Sequence, residues 1–175
     1  IYMDRTNKLE CIAKNAVVNG IRLTSFERGM AFRRVKPTLL FVHATGFHAR
    51  VWDKIINALG NFHSISVDQR GHGRSDKKKS LHWNEVITDT SEMIEQLDLT
   101  NSIAIVHSMG AHALIGAAPK AEHRFLQIIA IDPVIPEEAA FLDDTPSPFN
   151  GAEEHPTAKR RNEFDSPEEM ADRLK

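Results

Sequence analysis

Apolar residues along this chain switch back and forth between two periods. Residues 38–43 form an almost continuous apolar run, the pattern of a strand buried on both faces. From Val51 the spacing changes: Val51, Trp52, Ile55, Ile56 and Leu59 recur at helical intervals, and Gly60 follows where a helix C-terminus favours glycine. Ile65-Ser66-Val67 then reads as a short strand ending at Asp68. Val86, Thr90, Met93, Ile94 and Leu97 mark one face of a second helix. Residues 103–106 are another apolar run, 111–118 a helix of small residues, and 126–131 a strand ending at Asp132-Pro133. Strand and helix alternating from about residue 38 to 132 predict an α/β domain, a mostly parallel sheet with helices on both faces. Ahead of it, 13–18 and 21–28 flank Asn19-Gly20, the strongest short-range hairpin signal, so an antiparallel edge is expected there.

After Pro133 the character changes. Residues 136–158 are rich in proline and acidic side chains and show no period, so they read as an excursion from the sheet. Ser166-Pro167-Glu168-Glu169 is a capping box, and Met170 and Leu174 begin an apolar stripe that stops at Lys175. The division expected is a core over 1–135 and a second, truncated region over 136–175. With 41% hydrophobic and 26% charged residues the chain is globular rather than disordered. A net charge of -2 argues against nucleic acid or an anionic membrane as partner. Lys77-Lys78-Lys79 and Lys159-Arg160-Arg161 read as solvated loop charges. Cys11 is the single cysteine, which excludes an internal disulfide and points to a reducing, cytoplasmic compartment. No run of about 18 apolar residues exists. No signal peptide is visible, in a chain that begins at Ile1 rather than methionine.

Three motifs stand at the ends of successive strands: His43-Ala44-Thr45-Gly46-Phe47, Asp68-Gln69-Arg70-Gly71-His72-Gly73-Arg74-Ser75-Asp76, and Val106-His107-Ser108-Met109-Gly110. In this order and spacing the chain resembles the α/β-hydrolase superfamily over about residues 15–135. Arg160-Arg161 before Phe164, and the Ser-Pro-Glu-Glu helix start, resemble the beginning of that family's cap. The resemblance implies an α/β-hydrolase fold truncated before its last strands, and a serine hydrolase acting on a carboxylic ester or related acyl substrate. Ser108 would be the nucleophile, on a sharp strand-to-helix turn, forming an acyl-enzyme that water releases. The Met109 N–H would be one oxyanion-hole donor. Counting from His43 to Trp52 without a gap places the second at Thr45, with Phe47 as the alternative. Related haloalkane dehalogenases and epoxide hydrolases carry aspartate at the elbow, so serine counts against those activities. Val106 stands two residues before the nucleophile, where glycine usually relieves crowding, and a β-branched side chain there must be accommodated or strain the turn. Ala44 and Ala111 also replace usual glycines.

The superfamily's chain order is Ser, then Asp or Glu, then His. Only His112, His123 and His155 follow Ser108, and none lies after a final strand. The base is therefore expected outside these residues, and the chain alone is expected to be inactive. Asp132 ends a strand on the same sheet edge as Ser108 and is the acid candidate; a carboxylate before proline is also an ordinary turn. The competing reading is a non-catalytic protein of the same fold that binds a ligand or partner. Gly71-His72-Gly73 lacks the third glycine of a dinucleotide fingerprint, so the loop reads as structural, pinned by Arg70 and Asp76, and no cofactor is expected. The nine histidines include no His-Glu-x-x-His pair, and no metal is expected. His43, His72 and His107 read as loop anchors brought together at the top of the sheet, with His43 orienting the oxyanion loop. Trp52, Trp83 and Phe47 read as packing residues, Phe47 with a second reading as pocket wall. The expected partner is a small acyl substrate, and the apolar edge after residues 126–131 suggests self-association.

Overall fold

A computed structural model of the chain describes residues 10–77, 82–135, 165, 166, 168, 169 and 172. The described residues divide into two units between 137 and 138.

In the first unit, β1 (Cys11–Val18) and β2 (Ile21–Arg28) pair antiparallel across Asn19-Gly20. Both turn residues take positive φ, 45° and 70°, as a tight two-residue hairpin requires. Then come β3 (Thr38–Val42), α1 (Asp53–Leu59), β4 (Ser64–Asp68), α2 (Trp83–Gln96), β5 (Ser102–His107), α3 (Met109–Ala121) and β6 (Phe125–Ile131). The six strands form one sheet in the order β1-β2-β4-β3-β5-β6. β2 meets β4 antiparallel, and β4, β3, β5 and β6 run parallel. This is the α/β-hydrolase architecture that the motifs imply, with its hairpin edge.

Alternation along the strands divides the core. Leu39 and Phe41 pack with Trp52 and Ile56 on the α1 side. Leu40, Val42, Val67 and Val106 pack with Met93, Ile94, Ala111, Leu114 and Ala117 on the side of α2 and α3. Both faces of the central strands are thus dry, which is why they read as unbroken apolar runs. The helix expected over 51–59 begins instead with a 3-10 turn, Ala49–Trp52, where His48 Nδ1 accepts from Arg50 N–H at 3.2 Å. The helix expected over 111–118 runs from Met109 to Ala121, past Pro119.

β3 is central. The chain leaves it for β4 on one side, then crosses to β5 on the other. The loops after β3 and β5 part at that switch point, and the crevice outside their carboxyl ends is where open α/β sheets bind ligands. β6 pairs only with β5 among the described residues, and Leu126, Ile129 and Ile131 are exposed along it.

In the second unit, Glu169 N–H donates to Ser166 Oγ at 3.1 Å, and Asp165 N–H donates to Glu169 Oε2 at 2.8 Å. The capping box therefore closes on Asp165 rather than on Ser166 itself. The excursion over 136–158, and Met170 and Leu174, lie outside the described residues. No described helix is long and apolar enough to cross a membrane.

Candidate active site

Ser108 joins β5 to α3 with φ 50° and ψ −114°. A non-glycine residue held there stores about 1–3 kcal/mol and persists only when its surroundings fix it. They do: Ser108 N–H donates to Ile131 O at 3.0 Å. Its carbonyl accepts from Ala111 N–H at 2.9 Å and His112 N–H at 3.0 Å. Val106 is fully buried in the core and stays in register with Val42 and Ala130. The crowding lies at Gly110, where a Cβ would come within 2.7 Å of His43 O and 2.8 Å of Val42 O. The start of α3 rests directly on the carbonyl end of β3.

The loop after β3 runs exposed from Thr45 to His48. Phe47 N–H donates to Ala44 O at 3.1 Å, and Gly46 N–H donates to His72 Nε2 at 3.0 Å. Thr45 N–H and Met109 N–H donate to no acceptor among the described residues.

Histidines tie this loop to the one after β4. His43 is fully buried. Its Nδ1 faces Ala44 O at 2.8 Å, so Nδ1 carries the proton, and Nε2 accepts from Gln69 N–H at 3.1 Å. Gln69 Nε2 donates back to His43 O at 2.6 Å. The His43 and His72 rings lie 5.1 Å apart. The rest of the Asp68–Asp76 segment is pinned as closely. Asp68 accepts from Ala49 N–H at 2.6 Å and Arg74 N–H at 2.8 Å, and a Cβ at Gly73 would overlap its carboxylate. Ser75 Oγ donates to Asp68 O at 2.6 Å and accepts from Thr24 N–H at 2.9 Å. Asp76 pairs with Arg22 at 3.1 Å, and Arg70 with Asp89 at 2.7 Å. Gln69 and Ser75 belong to the motif after β4, whereas Thr24, in β2, carries no local sequence signal for its role.

Burial pushes the His43 imidazole down to about 4 from its ordinary 6.5. The folded chain therefore holds this ring neutral while the unfolded chain protonates it. That contribution to stability is complete above pH 6.5 and is lost as pH falls toward 4. Burial lowers His63 and His112 as well, in the same direction. Urea unfolding is expected to show a loss of about 3 kcal/mol or more between about pH 7 and about pH 4. An unchanged urea midpoint over that range would contradict the assignment.

The remaining candidates are dispersed. Asp132 is exposed at the end of β6 with φ 45°, beside the elbow through the Ser108–Ile131 bond, and its carboxylate has no hydrogen-bond partner among the described residues. His112 is buried in the first turns of α3, edge-on to Trp83 at 4.3 Å. His123 lies in the 3-10 turn Glu122–Arg124 before β6, at the opposite end of the sheet. His155 lies outside the described residues. Phe47 and His107 rings lie 6.4 Å apart at the elbow. No group of three or more metal-ligating side chains occurs among the described residues.

Comparison with known proteins agrees with this geometry. The chain is 32% identical over 132 residues to a 2-(acetamidomethylene)succinate hydrolase of Mesorhizobium japonicum, covering 73% of this chain and 46% of that protein. The crystal structure of E-2-(acetamidomethylene)succinate hydrolase superposes with a TM-score of 0.62 at 30% identity, over 73% of this chain and 46% of that one. The haloalkane dehalogenase DatA of Agrobacterium tumefaciens C58 shares the fold at 20% identity, with a TM-score of 0.65 over 71% of this chain and 42% of its own. The chain thus spans less than half the length of these relatives. The model of the "Alpha/beta hydrolase family" matches residues 39–174, and the chain belongs to that family.

Proposed function

We propose that this chain carries the nucleophile and the oxyanion hole of a serine hydrolase acting on a carboxylic ester or related acyl substrate. One observation carries the reading: Ser108 is held at φ 50° between a strand and a helix, and two backbone N–H groups, that of Met109 after it and that of Thr45 in the loop after β3, find no acceptor among the described residues. Ser108 Oγ attacks the carbonyl carbon while a base takes its proton. The tetrahedral oxyanion receives the two N–H donors, each worth about 3 kcal/mol in the transition state. The start of α3 adds the positive end of its dipole. Collapse expels the alcohol or other leaving group and leaves acyl-Ser108, which water cleaves. Gly46 and Phe47 have their amides engaged elsewhere, which favours Thr45 as donor. Asp132 is the acid candidate by its place at the strand end. The base is assigned to no residue of this chain. Lactones, thioesters and diketone carbon–carbon bonds fit the same chemistry. The succinate-derived substrate in a relative's name is a reasonable first compound to assay. The lone Cys11 supports a reducing, cytoplasmic setting, and exposed β6 supports association of copies.

The placement of His112 and His123 also favours a second reading, a non-catalytic binder of a ligand or partner on this fold. The 175-residue chain by itself is expected to show no saturable hydrolysis of p-nitrophenyl acetate. Saturable turnover that disappears in Ser108→Ala would place a base within the chain and overturn that part of the account.

A further inference from the structure

The exposed tip of the oxyanion loop has little to hold it. Within residues 45–48, the bonds Phe47 N–H to Ala44 O, Val51 N–H to His48 O and Arg50 N–H to His48 Nδ1 are all local. Among the described residues, the Gly46–His72 bond is the one hydrogen bond from this tip to another segment. Packing does not replace it at Gly46, where φ is 80° and nothing lies within 4 Å of the Cβ position.

That bond depends on one protonation state. His72 Nδ1 faces Arg70 O at 2.8 Å, a group that can only accept, so Nδ1 carries the proton. Nε2 is then the bare nitrogen that takes Gly46 N–H at 3.0 Å. A second proton on the ring would set N–H against N–H.

We propose that His72 is a positioning residue for the oxyanion loop, whose unprotonated Nε2 holds Gly46 N–H and so keeps the neighbouring Thr45 N–H turned toward Ser108. The proposal rests on the serine-hydrolase reading of Ser108 and Thr45. Several groups set the ring's surroundings. His43, the neutral ring 5.1 Å away, interacts electrostatically with Asp68 and His48 as well as with His72. Arg70 presents its carbonyl to His72 while its guanidinium pairs with Asp89 and Glu85. The Asp68 carboxylate is engaged by Ala49 and Arg74 amides.

Amide exchange by NMR on the 175-residue chain, at a single pH, tests this. The Gly46 protection factor is expected to fall about tenfold in His72→Phe, which offers no acceptor. His72→Gln, which keeps an acceptor at the ε position, is expected to retain it. The Ala49 amide, held by Asp68, reports local unfolding and is expected to stay protected in all three. Gly46 protection in the phenylalanine variant equal to that in the unaltered chain overturns the proposal. In the full-length protein, the rate at which a fluorophosphonate labels Ser108 is expected to drop at least about tenfold in His72→Phe and to recover in His72→Gln. Equal labelling in all three overturns the positioning role. An absence of labelling in the unaltered protein removes the nucleophile reading instead, and the Gly46 amide still decides whether His72 holds the loop.

Discussion

Arg70→Met is expected to destabilise the fold by about 3–5 kcal/mol. Arg70 and Asp89 are each 2% exposed. Arg70 Nε donates to Asp89 Oδ2 at 2.7 Å and Nη2 to Oδ1 at 2.8 Å, a two-point match of guanidinium to carboxylate. Nη1 meets Glu85 at 2.9 Å, and Asn19 Nδ2 reaches Asp89 at 3.0 Å. One buried ion pair thus joins the loop after β4, helix α2 and, through Asp89, the hairpin turn. Asp89 holds Arg70 firmly in its charged form, raising it above the ordinary arginine value. Without it, Asp89 stays buried with a single neutral donor from Asn19. The double variant Arg70→Met/Asp89→Leu is expected to recover much of the loss, because an apolar pair leaves no stranded charge. Urea unfolding of the two variants measures both quantities. A loss under about 1 kcal/mol in Arg70→Met would mean that water reaches the carboxylate.

Gly110→Ala is the second large effect expected. The added Cβ would press on His43 O and Val42 O, backbone atoms that cannot rotate aside. Relief requires the first turn of α3 to lift away from β3. Overpacking of this kind costs about 1–3 kcal/mol. The greater effect falls on chemistry, because Met109 N–H and Ser108 move with the helix while Thr45 stays with β3. A displacement near 1 Å at a reacting centre costs about 10²-fold in rate. Ser108 reactivity in Gly110→Ala is therefore expected to fall about 10²-fold while the protein stays folded at 25 °C. Undiminished reactivity would show that the two halves of the oxyanion hole are not set by this contact.

These two sites show which parts of the fold were legible in the sequence. The hairpin could be read because Asn19-Gly20 carries its own turn chemistry. The elbow could be read because an apolar run, one serine and a run of small residues already describe strand, turn and helix. Local spacing left open whether Val106 is accommodated or strains the elbow; its side chain faces the core, and the tight contact of Gly110 against the neighbouring strand went unread. No local pattern reports where a helix start rests on another strand. The choice between Thr45 and Phe47 stayed open for a similar reason. It turns on which amides find acceptors, and the acceptor for Gly46 is 26 residues away. The first turn after His48 tightened into a 3-10 turn because a side-chain cap acts there, which apolar spacing does not register.

The most direct test of the account is covalent. The full-length protein, treated with a fluorophosphonate probe and digested, would be mapped by mass spectrometry. The account predicts one adduct, on the peptide carrying Ser108, absent from Ser108→Ala. A folded protein that takes up no probe, or that carries it on another residue, would contradict the nucleophile assignment and move the ligand-binding reading to the front.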